Sequence, residues 1–268
     1  LVVPAATIMA QPVVYQVKTR NGTIAGEAEN DVRVFRGIPF AQPPLGELRW
    51  REPQPVASWS GVRPTTSFAP NCYQDPPRAW EPYTAEFLID DNRSEDCLYL
   101  NVWSPPSAKD LPVYVWIHGG GFGSGSGSVP VYNGSNLAVK GAVVVTINYR
   151  VGVFGFLAHP DLTKDSPLKS SGNYGLLDMI EAMKWVKANA AKFGGDPNNI
   201  MIAGQSAGAT SVNSLMSSPL AKGLFHKAAV LSGVNLGIGL AKLEQAEASG
   251  VTFVKSTGRK SISELRGL

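Results

Sequence analysis

Charged residues are scarce: Asp, Glu, Lys and Arg make up 17% of the 268 residues, against about 25% in an ordinary globular chain. With hydrophobic residues at 44%, this excludes disorder, which needs high charge and little to bury. No uncharged apolar run reaches the roughly 18 residues of a membrane-crossing helix. The net charge is +3, but Lys and Arg are scattered and form no run interleaved with aromatics, which argues against a nucleic-acid partner. Histidine and cysteine are rarer still, with three and two. Cys72 and Cys97 form no Cys-x-x-Cys pair and match no zinc spacing, so no metal is expected. They read either as two buried thiols or as a disulfide closing a surface loop in an exported, oxidising location. Internal repeats are absent, and no linker divides the chain.

What is plentiful is turn-forming residues, 28 Gly and 20 Pro, set between short apolar segments. Residues 1–12, within LVVPAATIMAQPVV, read as the tail of a secretory signal or as a leading strand. VVYQV, TIAGEA and VRVFRG read as β segments, the first two joined by a hairpin turn at Asn21-Gly22. A Pro-rich stretch dotted with aromatics follows over residues 39–93. Strands are then expected at CLYLNVW, PVYVWIHG, GAVVVTINYR, NNIMIAG and HKAAVLSG, several of them continuous apolar runs of the kind buried on both faces. Between them, GLLDMIEAMKWVKANAAKFGG carries Leu176, Ile180, Met183 and Lys187 at helical spacing and stops at Gly194-Gly195. Strands alternating with helices imply a largely parallel α/β sheet.

Two glycine motifs carry chemistry. Gly204-Gln205-Ser206-Ala207-Gly208 is a G-x-S-x-G, weak alone in a Gly-rich chain but here placed between a buried strand and the helix-like ATSVNSLM, as a nucleophile elbow requires. Glycines two positions either side of Ser206 let strand and helix pack closely while the serine holds a strained turn. The start of the following helix favours negative charge. The second motif, His118-Gly119-Gly120-Gly121-Phe122, directly follows a strand, where successive backbone N–H groups can face a developing oxyanion. A P-loop would need Gly-Lys-Ser/Thr, which is missing, and a dinucleotide fingerprint would need a helix opening at the glycines and a later acid. No cofactor is expected.

HGGGF at 118–122, GQSAG at 204–208, FRGIPFAQPPLGELRW at 35–50, SEDCLYLNVW at 94–103, NYRVGVFGFL at 148–157, GNYGLLD at 172–178 and FGGDP at 193–197 together resemble the type-B carboxylesterases, over about residues 13–235 and in the family's order. The resemblance implies an α/β-hydrolase fold, with a mostly parallel central sheet flanked by helices. It also implies a carboxylic ester hydrolase in which Ser206 is the nucleophile of an acyl-enzyme mechanism and the N–H groups of Gly120, Gly121 and Ala207 form the oxyanion hole. By the same resemblance Cys72 and Cys97 match the family's first disulfide, and Arg36 with Glu95 and Arg150 with Asp178 match ion pairs that brace loops behind the site. The family's usual elbow has Glu where this chain has Gln205, so a choline-ester specialist is not expected. Trp80 lies in the loop of the choline-binding aromatic, but at the wrong distance from Cys72.

The fold also needs an acid and then a histidine after the serine. His118 belongs to the Gly-rich loop, His159 precedes the long helix, and His226 opens a strand whose other end faces the site. Glu244, Glu247 and Glu264 lie in a helix-like tail rather than after a sheet strand. The family places its acid and base well over a hundred residues beyond the serine. The expectation is therefore that residues 1–268 are the N-terminal portion of a single hydrolase domain, with the later strands, the lid region, the acid and the base outside this chain. A C-terminal half of the same protein becomes the expected partner, beside a small ester substrate. The rival reading is a catalytically inert, cholinesterase-like adhesion fragment, and a third keeps the enzyme but changes the bond to a carbamate, lactone or amide.

Overall fold

The computed structural model describes residues 14–29, 31–76, 78, 84–90, 92–233 and 241–268. Residues 1–12 and Trp80 lie outside them. The chain opens with a meander, β1 (Val14–Lys18), β2 (Thr23–Glu29) and β3 (Val32–Pro39), paired antiparallel in sequence. Three short strands follow: β4 (Val62–Pro64), β5 (Asn71–Cys72) and β6 (Arg93–Ser94). The main strands are β7 (Tyr99–Ser104), β8 (Leu111–Ile117), β9 (Val143–Ile147), β10 (Gly195–Gln205) and β11 (Lys227–Leu231). The central sheet runs β1-β2-β3-β7-β9-β8-β10-β11, with β4 beside β2.

The sheet is mixed. Its first strands are antiparallel as far as β9, whereas β9, β8, β10 and β11 are parallel. All five residues of β9 are buried, and in β8 Val113, Val115 and Ile117 are buried while Tyr114 and Trp116 stack on the other face. Register aligns Ile147 of β9, Ile117 of β8 and Gly204 of β10, so the parallel strands end level with one another. Residues just past such carboxyl ends are where α/β sheets gather their ligands.

Helices fill the crossovers: α1 (Ser135–Ala138), α2 (Gly152–Phe156), α3 (Pro160–Asp165), α4 (Tyr174–Asn189) and α5 (Ala207–Ser217), with α6 (Leu243–Ser256) and α7 (Ile262–Arg266) after β11. The long helix α4 buries Met179, Ile180, Ala182, Met183, Trp185 and Val186. It packs against β10 of the sheet and also against α2 and α5, so burial extends beyond the stripe read from periodicity, and Leu176 and Lys187 stay half-exposed. A short 3₁₀ turn ends at Gly194, which is left-handed at φ 81°, and β10 starts at once. The tail pair α6 and α7 joins no strand; Val254, Ile262 and Leu265 pack with Trp50, Leu157, Leu162 and Tyr174. Among the described residues no helix is long and apolar enough to cross a membrane.

Candidate active site

Ser206 sits between the last residue of β10 and the first of α5, at φ 56° and ψ −122°. A non-glycine residue in that region costs about 1 to 3 kcal/mol and persists only where its surroundings hold it. Here its N–H donates to the Leu231 carbonyl at 3.0 Å and its carbonyl accepts from Thr210 N–H at 3.0 Å, tying the turn to β11 and to α5. The two flanking glycines permit the crossing: a Cβ on Gly204 would lie 2.5 Å from Gly208, and one on Gly208 would lie 2.1 Å from the Ile117 carbonyl oxygen.

The Gly-rich loop lies against this turn. A Cβ on Gly119 would fall 2.7 Å from the Gln205 carbonyl oxygen and 3.2 Å from the Ser206 Cβ. Gly120, Gly121 and Phe122 then all take positive φ, at 112°, 62° and 61°. The turn is closed by the Gly123 and Ser124 N–H groups, both donating to the Gly120 carbonyl at 3.0 Å, and by Gly152 N–H donating to Phe122 O at 2.6 Å. Gly121 is exposed, with open space around its α-carbon. Ala207 is buried at the first position of α5, where a helix presents unpaired N–H groups. The arrangement places a hydroxyl on a strained turn beside two sources of backbone donors, the constellation that acyl transfer uses.

A model of the carboxylesterase family matches residues 14–259. The chain belongs to that family. As a carboxylesterase-family chain it is 50% identical over 239 residues to a fumonisin B1 esterase of Sphingopyxis macrogoltabida, covering 87% of this chain and 42% of that protein. It is 43% identical over 244 residues to the para-nitrobenzyl esterase of Bacillus subtilis, covering 90% and 48% respectively. A solved carboxylesterase from Geobacillus stearothermophilus superposes with a TM-score of 0.83 at 44% identity, over 94% of this chain and 50% of that one. The chain thus spans about half the length of these relatives. The α/β-hydrolase architecture of the family accounts for its sheet and flanking helices.

Around the elbow, this carboxylesterase-family chain braces its loops with buried pairs. Arg150 donates to Asp178 from its backbone N–H at 3.0 Å, from Nε at 2.8 Å and from a terminal nitrogen at 2.7 Å; Asp178 is wholly buried. The expected pairing of Arg36 with Glu95 is not what the structure contains. Arg36 bonds Glu27 and Glu29, two acids on β2, the strand paired with its own β3, while Glu95 receives both forks of Arg49, at 2.6 and 2.7 Å. Arg49 also donates to the carbonyls of Leu265 and Leu268, clasping α7. Arg49 was not singled out in the sequence, since its partners lie on distant segments. Cys72 and Cys97 form a disulfide.

The three histidines are each committed elsewhere. His118 is buried, its Nδ1 sits 2.7 Å from the Gly119 carbonyl, its ring stacks on Tyr149 at 4.2 Å, and its carbonyl accepts from the Tyr149 hydroxyl at 2.9 Å. Burial pushes its pKa down to about 4, so the ring is neutral at pH 7. A neutral ring donating Nδ1–H to Gly119 O satisfies that contact. His159 caps α3, accepting from Asp161 N–H at 3.2 Å. His226 accepts from Ile200 N–H at 3.1 Å, at the end of β11 remote from Ser206. Glu244 and Glu247 lie on α6 and Glu264 on α7. Among the described residues no group of His, Cys, Asp and Glu is placed to hold a metal ion. A cleft of about 170 Å³ lies between α4 and α5, lined by Tyr174, Ile180 and Leu215 among others, and neither Ser206 nor the Gly-rich loop borders it.

Proposed function

We propose that this chain carries the nucleophile and oxyanion hole of a serine carboxylesterase. The observation that carries the reading is the positive-φ Ser206 with the Gly119–Gly121 loop seated against it. Ser206 Oγ attacks the ester carbonyl carbon and its proton passes to an imidazole supplied from outside the described residues. Gly120, Gly121 and Ala207 N–H groups hold the oxyanion, each donor contributing about 3 to 4 kcal/mol in comparable sites. The C–O bond then breaks, the alcohol leaves with the proton, and water hydrolyses the acyl-enzyme to the acid. The acid and base come from a C-terminal half of the same protein, in keeping with the half-length match to the relatives. The Cys72–Cys97 bridge favours an exported location, because such bonds persist in oxidising compartments. A neutral Gln205 beside the nucleophile favours uncharged esters over cationic ones.

Labelling with a fluorophosphonate tests the nucleophile. One adduct on Ser206, abolished in Ser206→Ala, is expected, together with a loss of ester hydrolysis in that variant by several orders of magnitude. A loss of less than about tenfold refutes the assignment. Engagement of all three histidines in other contacts favours the inert reading for residues 1–268 taken alone. Absence of the adduct from the 268-residue polypeptide, with labelling of the longer protein, would place the base outside these residues.

A further inference from the structure

The donors of an oxyanion hole act only if the loop bearing them stays in place, and five of the eight residues at 118–125 are glycines with no side chain to pack. His118 on Tyr149 and Phe122 on Phe156 hold its start and middle. Its far end is fixed by a different contact. Gly125, at φ 109°, presses against the start of the loop, so that a Cβ there would fall 2.3 Å from His118 Nδ1 and 2.5 Å from the Gly119 carbonyl oxygen. From the opposite side one side chain grips Gly125 by both of its backbone groups: Gly125 N–H donates to Gln74 Oε1 at 2.7 Å and Gln74 Nε2 donates to Gly125 O at 2.9 Å. The same Nε2 donates to Cys72 O at 2.9 Å, so the Gln74 amide is satisfied on every side it presents, and the residue is buried.

Gln74 itself stands on a fixed base. Its carbonyl accepts from Arg93 at 2.7 Å, the segment before it pairs as β5 with β6, and the Cys72–Cys97 bridge closes the loop two residues away. Resting on the ester-cleavage reading above, we infer that Gln74 is a positioning residue for that reaction, a prong from the disulfide loop that sets the oxyanion loop through Gly125 and His118. It touches no substrate. A primary amide suits the task because it offers one acceptor and two donors in one plane, matching a backbone N–H, a backbone C=O and a second carbonyl at once.

The test is Gln74→Met, which keeps length and most of the volume while removing the three side-chain hydrogen bonds to Gly125 and Cys72, made in the full polypeptide that includes this chain. With para-nitrophenyl acetate as probe, kcat is expected to fall by at least about tenfold while KM moves by less than about twofold, because the donors matter most where charge develops. The rate of fluorophosphonate labelling at Ser206 falls in step. A merely structural Gln74 would lower the thermal midpoint and leave kcat per folded molecule unchanged. Values of kcat and labelling rate within about twofold of the parent overturn the inference. If Gln74→Met does not accumulate folded, Gln74→Glu keeps an acceptor for Gly125 N–H but loses the donor to Gly125 O, and is read by the same two limits. Parent protein labelled at Ser206 with unaltered variants refutes the inference alone; parent protein not labelled refutes the nucleophile reading, and the inference with it.

Discussion

Ser206 occupies a backbone conformation that serine does not choose, and the residues around it are those that leave it no alternative. The glycine at 208 is the tightest of them, since a Cβ there meets the Ile117 carbonyl oxygen at 2.1 Å. That atom belongs to the central sheet and cannot swing aside. Gly208→Ala should therefore lower stability by about 2 to 3 kcal/mol, at the upper range for overpacking, measurable as a fall in the urea midpoint. Asp178 is the second residue whose environment fixes its cost. It is fully buried and accepts three hydrogen bonds from Arg150. Asp178→Ala strands a buried guanidinium and should cost about 3 to 5 kcal/mol by the same assay. His118 links the site to pH. Its pKa in the folded protein is about 4 against an ordinary 6.5, so below pH 6.5 the unfolded chain takes up a proton that the folded one refuses. Stability is full above about pH 6.5 and falls as pH drops toward 4, by on the order of 3 kcal/mol. His118→Asn, which retains an N–H near Gly119 O, should flatten that part of the profile relative to the parent in urea unfolding at stepped pH.

At the scale of elements, what was legible in the sequence is what local pattern dictates. Each strand from β7 to β11 announces itself as a short apolar run, and α4 as a longer periodic one ended by Gly194. The antiparallel character of β3, β7 and β9 was not visible, because pairing direction depends on which distant segment arrives alongside. The same blindness explains Arg36. Its family position suggests Glu95, but the neighbouring strand β2 offers it Glu27 and Glu29, and Glu95 goes to Arg49. Docking of α6 and α7 onto Trp50 and Leu157 likewise joins ends of the chain that share no local signal. The disulfide is an element-scale constraint with a calculable effect. Cys72 and Cys97 are 25 residues apart, so closing that loop should contribute about 3.5 kcal/mol through the unfolded state. A Cys72→Ala/Cys97→Ala double variant is expected to lose about that much in denaturant unfolding. A smaller loss would mean that the β5–β6 pairing and Gln74 hold the loop without it.

For the whole molecule, the candidate site was readable where it follows strand ends: Ser206, the proposed nucleophile, comes just after β10 and the proposed donor loop just after β8, and apolar runs mark both strands. No base was readable beside it, and in the structure each of the three histidines is engaged in another contact. Among the described residues β11 is the outer strand on the side of the elbow. Yet Val230 and Leu231 on it, with Met216 and Leu220 near the end of α5, are exposed at 37%, 42%, 57% and 50%. An outer strand bearing apolar side chains offers unpaired backbone groups to any other strand, and apolar exposure beside it favours association. Expressed alone, the 268-residue polypeptide should therefore self-associate, with sedimentation velocity showing species larger than the monomer as concentration rises. Val230→Lys puts a charge on the strand as natural edge strands do, and should weaken that association by about tenfold or more, or roughly 1.4 kcal/mol. Unchanged association would place the contact elsewhere, on the α5 surface rather than the strand. Loss of association with Ser206 still unlabelled by fluorophosphonate would show that the exposed edge and the want of an activating base are separate properties of the 268-residue polypeptide.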